Sequence, residues 1–331
     1  GRGIPIDRHP KFKDKSALEV ILTTLHSGGK FSNKVYHTAG GLHGVGISVV
    51  NALSDRMTVE VARDKELWRQ EFSKGAPLTQ LEKVGAAPNR RGTSVQFHPD
   101  PEIFEKGTAL RPARLYKMVR SKAYLFRGVE IRWKCDEELI KDDTPAEATL
   151  HFPGGLRDFL NASLDGVKAV TQEPFSGRVE MDNDRGRVEW AIAWPLTNIS
   201  FLNSYCNTVP TPEGGTHELG FRGALLRGLK AYGELINNKK AAQITAEDIL
   251  SSASAVLSVF IPDPQFQGQT KEKLTTTEAS RLVDLAIKDH FDNWLAGAPD
   301  QANNLLAWVI EKSEERLRRR QEKETSRKTA T

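Results

Sequence analysis

The chain has 331 residues, 38% of them hydrophobic, enough for about two globular domains. No apolar run approaches the roughly 20 residues of a membrane-spanning helix, and the first residues, GRGIPIDRHPKFKDK, hold no apolar signal stretch. Two cysteines, Cys135 and Cys206, fit inert thiols in a reducing cytoplasm, and 47 Lys+Arg against 43 Asp+Glu leave a net charge of +4 that permits contact with a polyanion without demonstrating it. The missing initiator Met implies a start inside a longer protein.

After an opening loop, the spacing of Leu18, Ile21, Leu22 and Leu25 predicts a helix over Ser16 to Ser27. Residues 27 to 46 are rich in Gly, Ser, Asn, Lys and His and read as a long functional loop leading into the apolar helix ISVVNAL. MTVEVAR, LWRQEFS and TSVQFHP alternate with the strand period, with turns at Gly75, Pro77 and GAAPNRRG. A basic helix near Pro112 to Phe126 precedes a strand at VEIRWKC, a polar hairpin excursion at DEELIKDDTPAEA, and a strand, turn and short helix in HFPGGLRDFLNASL. The domain boundary is expected near Asp165. Beyond it come strands RVEWAIAWP and ISFLNSYCN, helices over Thr216 to Ile236 and Ala246 to Ser252, a buried strand AVLSVFI, and a helical end with Trp294 and Trp308 in its apolar spacing. The mixture is α/β or α+β in both halves. The last stretch, EKSEERLRRRQEKETSRKTAT, is either a solvated helix laced with i,i+4 ion pairs or a connecting helix that faces DNA.

The strongest local signal is AGGLHGVGISVVN, residues 39 to 51, in which Gly40, Gly41, Gly44 and Gly46 lead into an apolar helix. Glycine lets backbone approach a ligand, and a helix start offers unpaired N–H groups and about half a positive charge, so the run suits a phosphate. An ordinary flexible loop before a core helix would look alike. Neither the P-loop spacing nor the dinucleotide fingerprint occurs, the eight histidines form no zinc motif, and there is no G-x-S-x-G elbow.

GRGIP, GGLHGVG and RRGTSVQF resemble, in order and separation, three of the four motifs of the superfamily uniting gyrase, ninety-kilodalton chaperones, histidine kinases and mismatch-repair ATPases (GHKL). LHSGGKFSNKVYHTAGGLHGVGISVVNALS, EGGTH at Glu213 to His217 and DPQFQGQTKEKL at Asp263 to Leu274 are similar to the B subunits of bacterial type IIA DNA topoisomerases over nearly the whole chain. Ser-Asn after GGKF, together with QFQGQTKEKL, leans toward the topoisomerase IV branch over gyrase.

The resemblance implies an α/β layered ATPase sandwich with a mixed sheet over residues 1–165, and a smaller transducer, similar to a ribosomal-protein fold, over 166–331. It implies that Gly3, Ile4 and Pro5 line the adenine pocket, with Arg2 at its mouth, Ile21 as a wall and the Thr93 hydroxyl on the adenine side. Lys30 and Tyr36 belong to the lid, and Gly41, Leu42, His43, Gly44, Val45 and Gly46 face the phosphates. Gln269 and Lys271 reach the γ-phosphate, and Arg69 matches a position at the pocket's outer edge. Without the family, Lys30, Tyr36, His43, Thr93 and Lys271 are ordinary loop and strand residues.

The general-base glutamate and the magnesium-binding asparagine lie upstream of Gly1 in relatives, so the isolated chain is expected to bind ATP weakly and hydrolyse it poorly. The implied cofactors are ATP and Mg2+. The implied partners are DNA, the A subunit and a second B subunit, with no membrane. The rival readings are gyrase, an ATP-gated clamp without hydrolysis, and a module that has lost nucleotide binding.

Overall fold

The computed structural model describes residues 1–27, 44–105, 110–181, 186–268 and 270–329. By packing, the chain divides into two compact units, Gly1–Leu110 and Arg111–Thr331.

The first unit holds α1 (Ala17–Thr23), α2 (Gly46–Ala52) and strands β1 (Ser54–Arg63), β2 (Glu66–Ser73), β3 (Ala76–Pro77), β4 (Glu82–Ala86) and β5 (Gly92–Pro99). Helix α1 is shorter than the expected 16–27. Ser16 caps it, its hydroxyl accepting the Glu19 N–H at 3.1 Å, and the backbone turns extended at Thr24. Strands run β3-β2-β1-β5, with β4 also on β2, and every pairing is antiparallel. Asp64 and Lys65, both left-handed, close the two-residue β1–β2 hairpin. Alternation along β1 sends Met57, Val59 and Val61 inward against Leu18, Leu22 and Phe72, with Ile4, Ile6, Ile47 and Val50 packed at the edge of that core. The side chain of Asn51 ties the helices together, its amide donating to the Leu22 carbonyl at 3.0 Å.

In the second unit, α3 (Pro112–Leu125) leads to the hairpin β6 (Glu130–Lys134) and β7 (Glu147–His151), whose excursion is as read from its polar sequence. Then follow α4 (Leu156–Ser163), β8 (Phe175–Met181), β9 (Gly186–Ala193), β10 (Phe201–Cys206), β11 (Val209–Pro210), α5 (Thr216–Leu235) and α6 (Ala246–Leu250). The chain ends with β12 (Ser254–Phe260), the two-residue strands β13 (Phe266–Gln267) and β14 (Lys273–Leu274), α7 (Thr277–Gly297) and α8 (Pro299–Thr329). Strand β8 had no separate signal in the sequence.

The sheet order is β11-β10-β12-β9-β8, and the parallel β10–β12 pair makes it mixed. Both its faces are covered, which explains the unbroken apolar runs of β9 and β12. Val188, Trp190 and Ile192 point to one side, where Phe221, Leu225 and Leu229 of α5 and Val283, Ile287 and Phe291 of α7 complete the larger core. Ala191, Ala193, Tyr205 and Val256 point to the other, against Tyr124 and Leu125 of α3 and Leu156, Phe159 and Leu160 of α4. That second core explains why the packing divides after Leu110, ahead of the boundary expected near Asp165 after HFPGGLRDFLNASL, and why the second unit is the larger.

Candidate functional site

The opening segment lies along the first unit's sheet. Gly3 has φ +81, and a Cβ there would stand 2.9 Å from Val61 Cγ1, so the close approach requires glycine. The Ile4 N–H donates to Thr93 Oγ1 at 3.0 Å, and Thr93 is paired with Val61 across β1 and β5. Gly3, Ile4 and Thr93 are thus brought together. Thr93 accepts from the backbone and keeps its own hydroxyl proton free to donate elsewhere. Arg2 and Pro5 are exposed beside it, and Ile21 is half-buried on α1.

Gly44 is left-handed at φ +57, and α2 starts at Gly46 with Val45 as its cap residue. Among the described residues no side chain caps this helix. The Val45 carbonyl accepts from the Val49 N–H and the Ser48 hydroxyl, and among the described residues no side chain accepts from the first-turn donors. Among the described residues no heavy atom lies within 4 Å of the position of a Gly46 Cβ. Lys30, Tyr36, Gly41, Leu42, His43 and Gln269 lie outside the described residues.

Arg69 is not a lone surface cation. Its Nη2 sits 2.6 Å from Glu60 Oε1, and Arg90 Nη2 lies 2.8 Å from Glu60 Oε2. Hydrogen bonds from Arg69 and then Arg90 hold the Glu60 carboxyl below its ordinary value. Glu60 was missed in the sequence, although its outward position in the β1 alternation marks it as a cross-strand partner for Arg69. Fully buried Gln70 was missed too; its amide donates to Glu19 Oε2 and to the Thr79 carbonyl.

Lys271 belongs to the second unit, in the loop between β13 and β14. Its backbone is left-handed at φ +59, and its ammonium lies 6.0 Å from the Phe266 ring centroid. Among the described residues no carboxylate forms an ion pair with it, so its charge is available to a ligand. No group of three or more His, Cys, Asp or Glu suited to a metal ion occurs among the described residues.

Solved ATPase and ATP-binding domains share this fold. The chain resembles the 43K ATPase domain of Thermus thermophilus gyrase B in complex with an aminocoumarin, with a TM-score of 0.76 and 32% identity, covering 98% of this chain and 82% of that one. It also resembles the topoisomerase IV ATP-binding domain of Francisella tularensis in complex with a small-molecule inhibitor, with a TM-score of 0.71 and 33% identity, covering 96% and 82%.

The chain belongs to the DNA gyrase B family, whose model matches residues 155–325. It is 59% identical over 332 residues to the DNA topoisomerase 4 B subunit of Bartonella bacilliformis, covering 100% of this chain and 48% of that protein. The corresponding protein of Caulobacter vibrioides is 57% identical over 335 residues, with the same coverage. The chain therefore spans about half the length of the curated relatives it matches. The fold class and the family resemblance read from the sequence both hold.

Proposed function

We propose that this chain is the ATPase region of a topoisomerase IV B subunit. Identity of 57–59% to such subunits across the whole chain carries the reading. In it, ATP binding closes a dimer of B subunits around DNA, and hydrolysis resets the gate, so that the enzyme formed with the A subunit decatenates and relaxes duplex DNA in the cytoplasm. Residues 1–165 would be the nucleotide-binding domain and 166–331 the transducer.

Within the first unit, Gly3, Ile4 and Pro5 would border the adenine, and the Thr93 hydroxyl, anchored by the Ile4 N–H, would donate toward it. Arg2 and Ile21 would flank that pocket, and Lys30 and Tyr36 would cover it. Backbone N–H groups from Gly41 through Gly46 would bind the phosphates, the uncapped start of α2 supporting this. Lys271, with Gln269, would contact the γ-phosphate, where an ammonium opposes the charge that moves in phosphoryl transfer. Mg2+ would neutralise the phosphates.

Calorimetry of the full-length B subunit with a non-hydrolysable ATP analogue tests the binding, and the same subunit joined to its A subunit tests the activity. Decatenation that requires ATP is expected, without ATP-driven negative supercoiling. Supercoiling would assign the chain to gyrase, and failure to bind any adenine nucleotide would end the proposal.

A further inference from the structure

The EGGTH stretch carries part of the family resemblance but has no role in the chemistry above. Its histidine, His217, is fully buried at the start of α5. Nε2 of His217 lies 3.0 Å from Thr211 Oγ1, which lies 2.7 Å from Ser204 Oγ, which in turn lies 2.7 Å from Glu218 Oε1. Glu218, 3.7 Å from the Arg222 guanidinium, ends this chain as an acceptor. The proton order that follows runs one way: Ser204 donates to Glu218, Thr211 donates to Ser204, and the imidazole Nε2–H donates to Thr211. Burial makes the imidazole hard to charge, and this tautomer leaves Nδ1 as a bare acceptor without a partner.

The same turn grips the hairpin that presents Lys271. Gly214 N–H donates to the Thr211 carbonyl at 2.8 Å, Glu213 N–H donates to the Glu272 carbonyl at 3.0 Å, and Leu274 N–H donates back to the Gly214 carbonyl at 3.0 Å. The Thr216 hydroxyl donates to the Thr276 carbonyl at 2.6 Å. Gly215, at φ +140, lies so close that a Cβ would stand 2.2 Å from the Leu274 carbonyl oxygen. Residues 272–276 are therefore held by 213–216, and the side chain and carbonyl of Thr211 anchor that turn. Lys271 is the next residue up the chain from this clamp.

We propose that Thr211 and His217 are positioning residues for Lys271: the buried hydroxyl–imidazole chain sets the 213–216 turn, and the turn fixes where the β13–β14 loop holds the ammonium. This rests on the assignment of Lys271 to the γ-phosphate. A network that merely satisfied polar groups in the core would affect stability and leave the lysine's contribution to turnover intact.

Thr211→Val keeps the side-chain shape and removes the hydroxyl, whereas Thr211→Ser keeps it. In DNA-stimulated ATP hydrolysis by the full-length B subunit with its A subunit, Thr211→Val should lower kcat about five- to tenfold with KM within about twofold, and Thr211→Ser should restore it. In a Lys271→Ala background, Thr211→Val should cost nothing more. Hydrogen exchange in nucleotide-free protein should be faster at the Glu213 and Leu274 amides of Thr211→Val. Ser204→Ala, which cuts the same chain at its middle link, serves if the valine variant does not fold. An unchanged kcat, or an equal loss in the Lys271→Ala background, overturns the inference while Lys271 keeps its role. Full activity of Lys271→Ala removes that role, and the inference falls with it.

Discussion

Burial pulls the His217 imidazole from its ordinary 6.5 down to about 4. Below pH 6.5 the unfolded chain therefore takes up a proton that the folded chain refuses, and stability present above that pH is lost as the pH falls toward 4. A gap of about 2.5 in pKa, at ~1.36 kcal/mol each, bounds the effect at about 3 kcal/mol; roughly 2 kcal/mol goes between pH 7 and 5, and most of the rest by pH 4. Urea unfolding followed by the fluorescence of Trp190 and Trp194, fully buried in the same unit, measures it. His217→Gln stays neutral throughout and carries a constant penalty, so the quantity of interest is the difference in pH slope between the two proteins. Parallel slopes, or a wild-type loss no greater than the variant's between pH 7 and 5, would refute the reasoning.

The long helix α8 is tied to α6 by Arg316, whose Nε and Nη2 meet the buried Asp248 carboxylate at 2.8 and 2.9 Å; Arg316→Met should cost about 2 kcal/mol in chemical denaturation, since one end of the pair stays partly exposed. Burial would raise the Asp248 carboxyl, but bonds from Arg316 and Thr245 outweigh it and hold the group below its ordinary 3.8, so the wild-type advantage over Asp248→Asn should be full at neutral pH and shrink below about pH 4. Thr93→Val removes the acceptor of the Ile4 N–H and should weaken binding of an ATP analogue about fivefold by calorimetry, with Thr93→Ser close to wild type. Gly215→Ala forces a Cβ into the Leu274 carbonyl at a left-handed backbone and should lower the thermal midpoint by more than about 5 °C; an unshifted melt would mean that the turn relaxes freely.

Much of the first unit was legible from local pattern. Period-two alternation placed β1, β2 and β5 and the glycine run placed the start of α2, because local periodicity is encoded by neighbouring residues, whereas Gly3, Thr93 and Lys271 were singled out only by resemblance to the family's motifs. The boundary near Asp165 was placed after the strand, turn and helix of HFPGGLRDFLNASL; local pattern cannot say that both faces of β9 and β12 need cover, or that α3 and α4 supply it. Strand β8, FSGRVEM, is polar enough to hide, and becomes a strand only because β9 pairs with it. Only the tertiary structure put Glu60 between Arg69 and Arg90, closed the Ser204–Thr211–His217–Glu218 chain and set Gly215 against Leu274. Those contacts join residues up to about 60 positions apart. Their hydrogen bonds depend on distances that no local pattern fixes until the chain has folded around them.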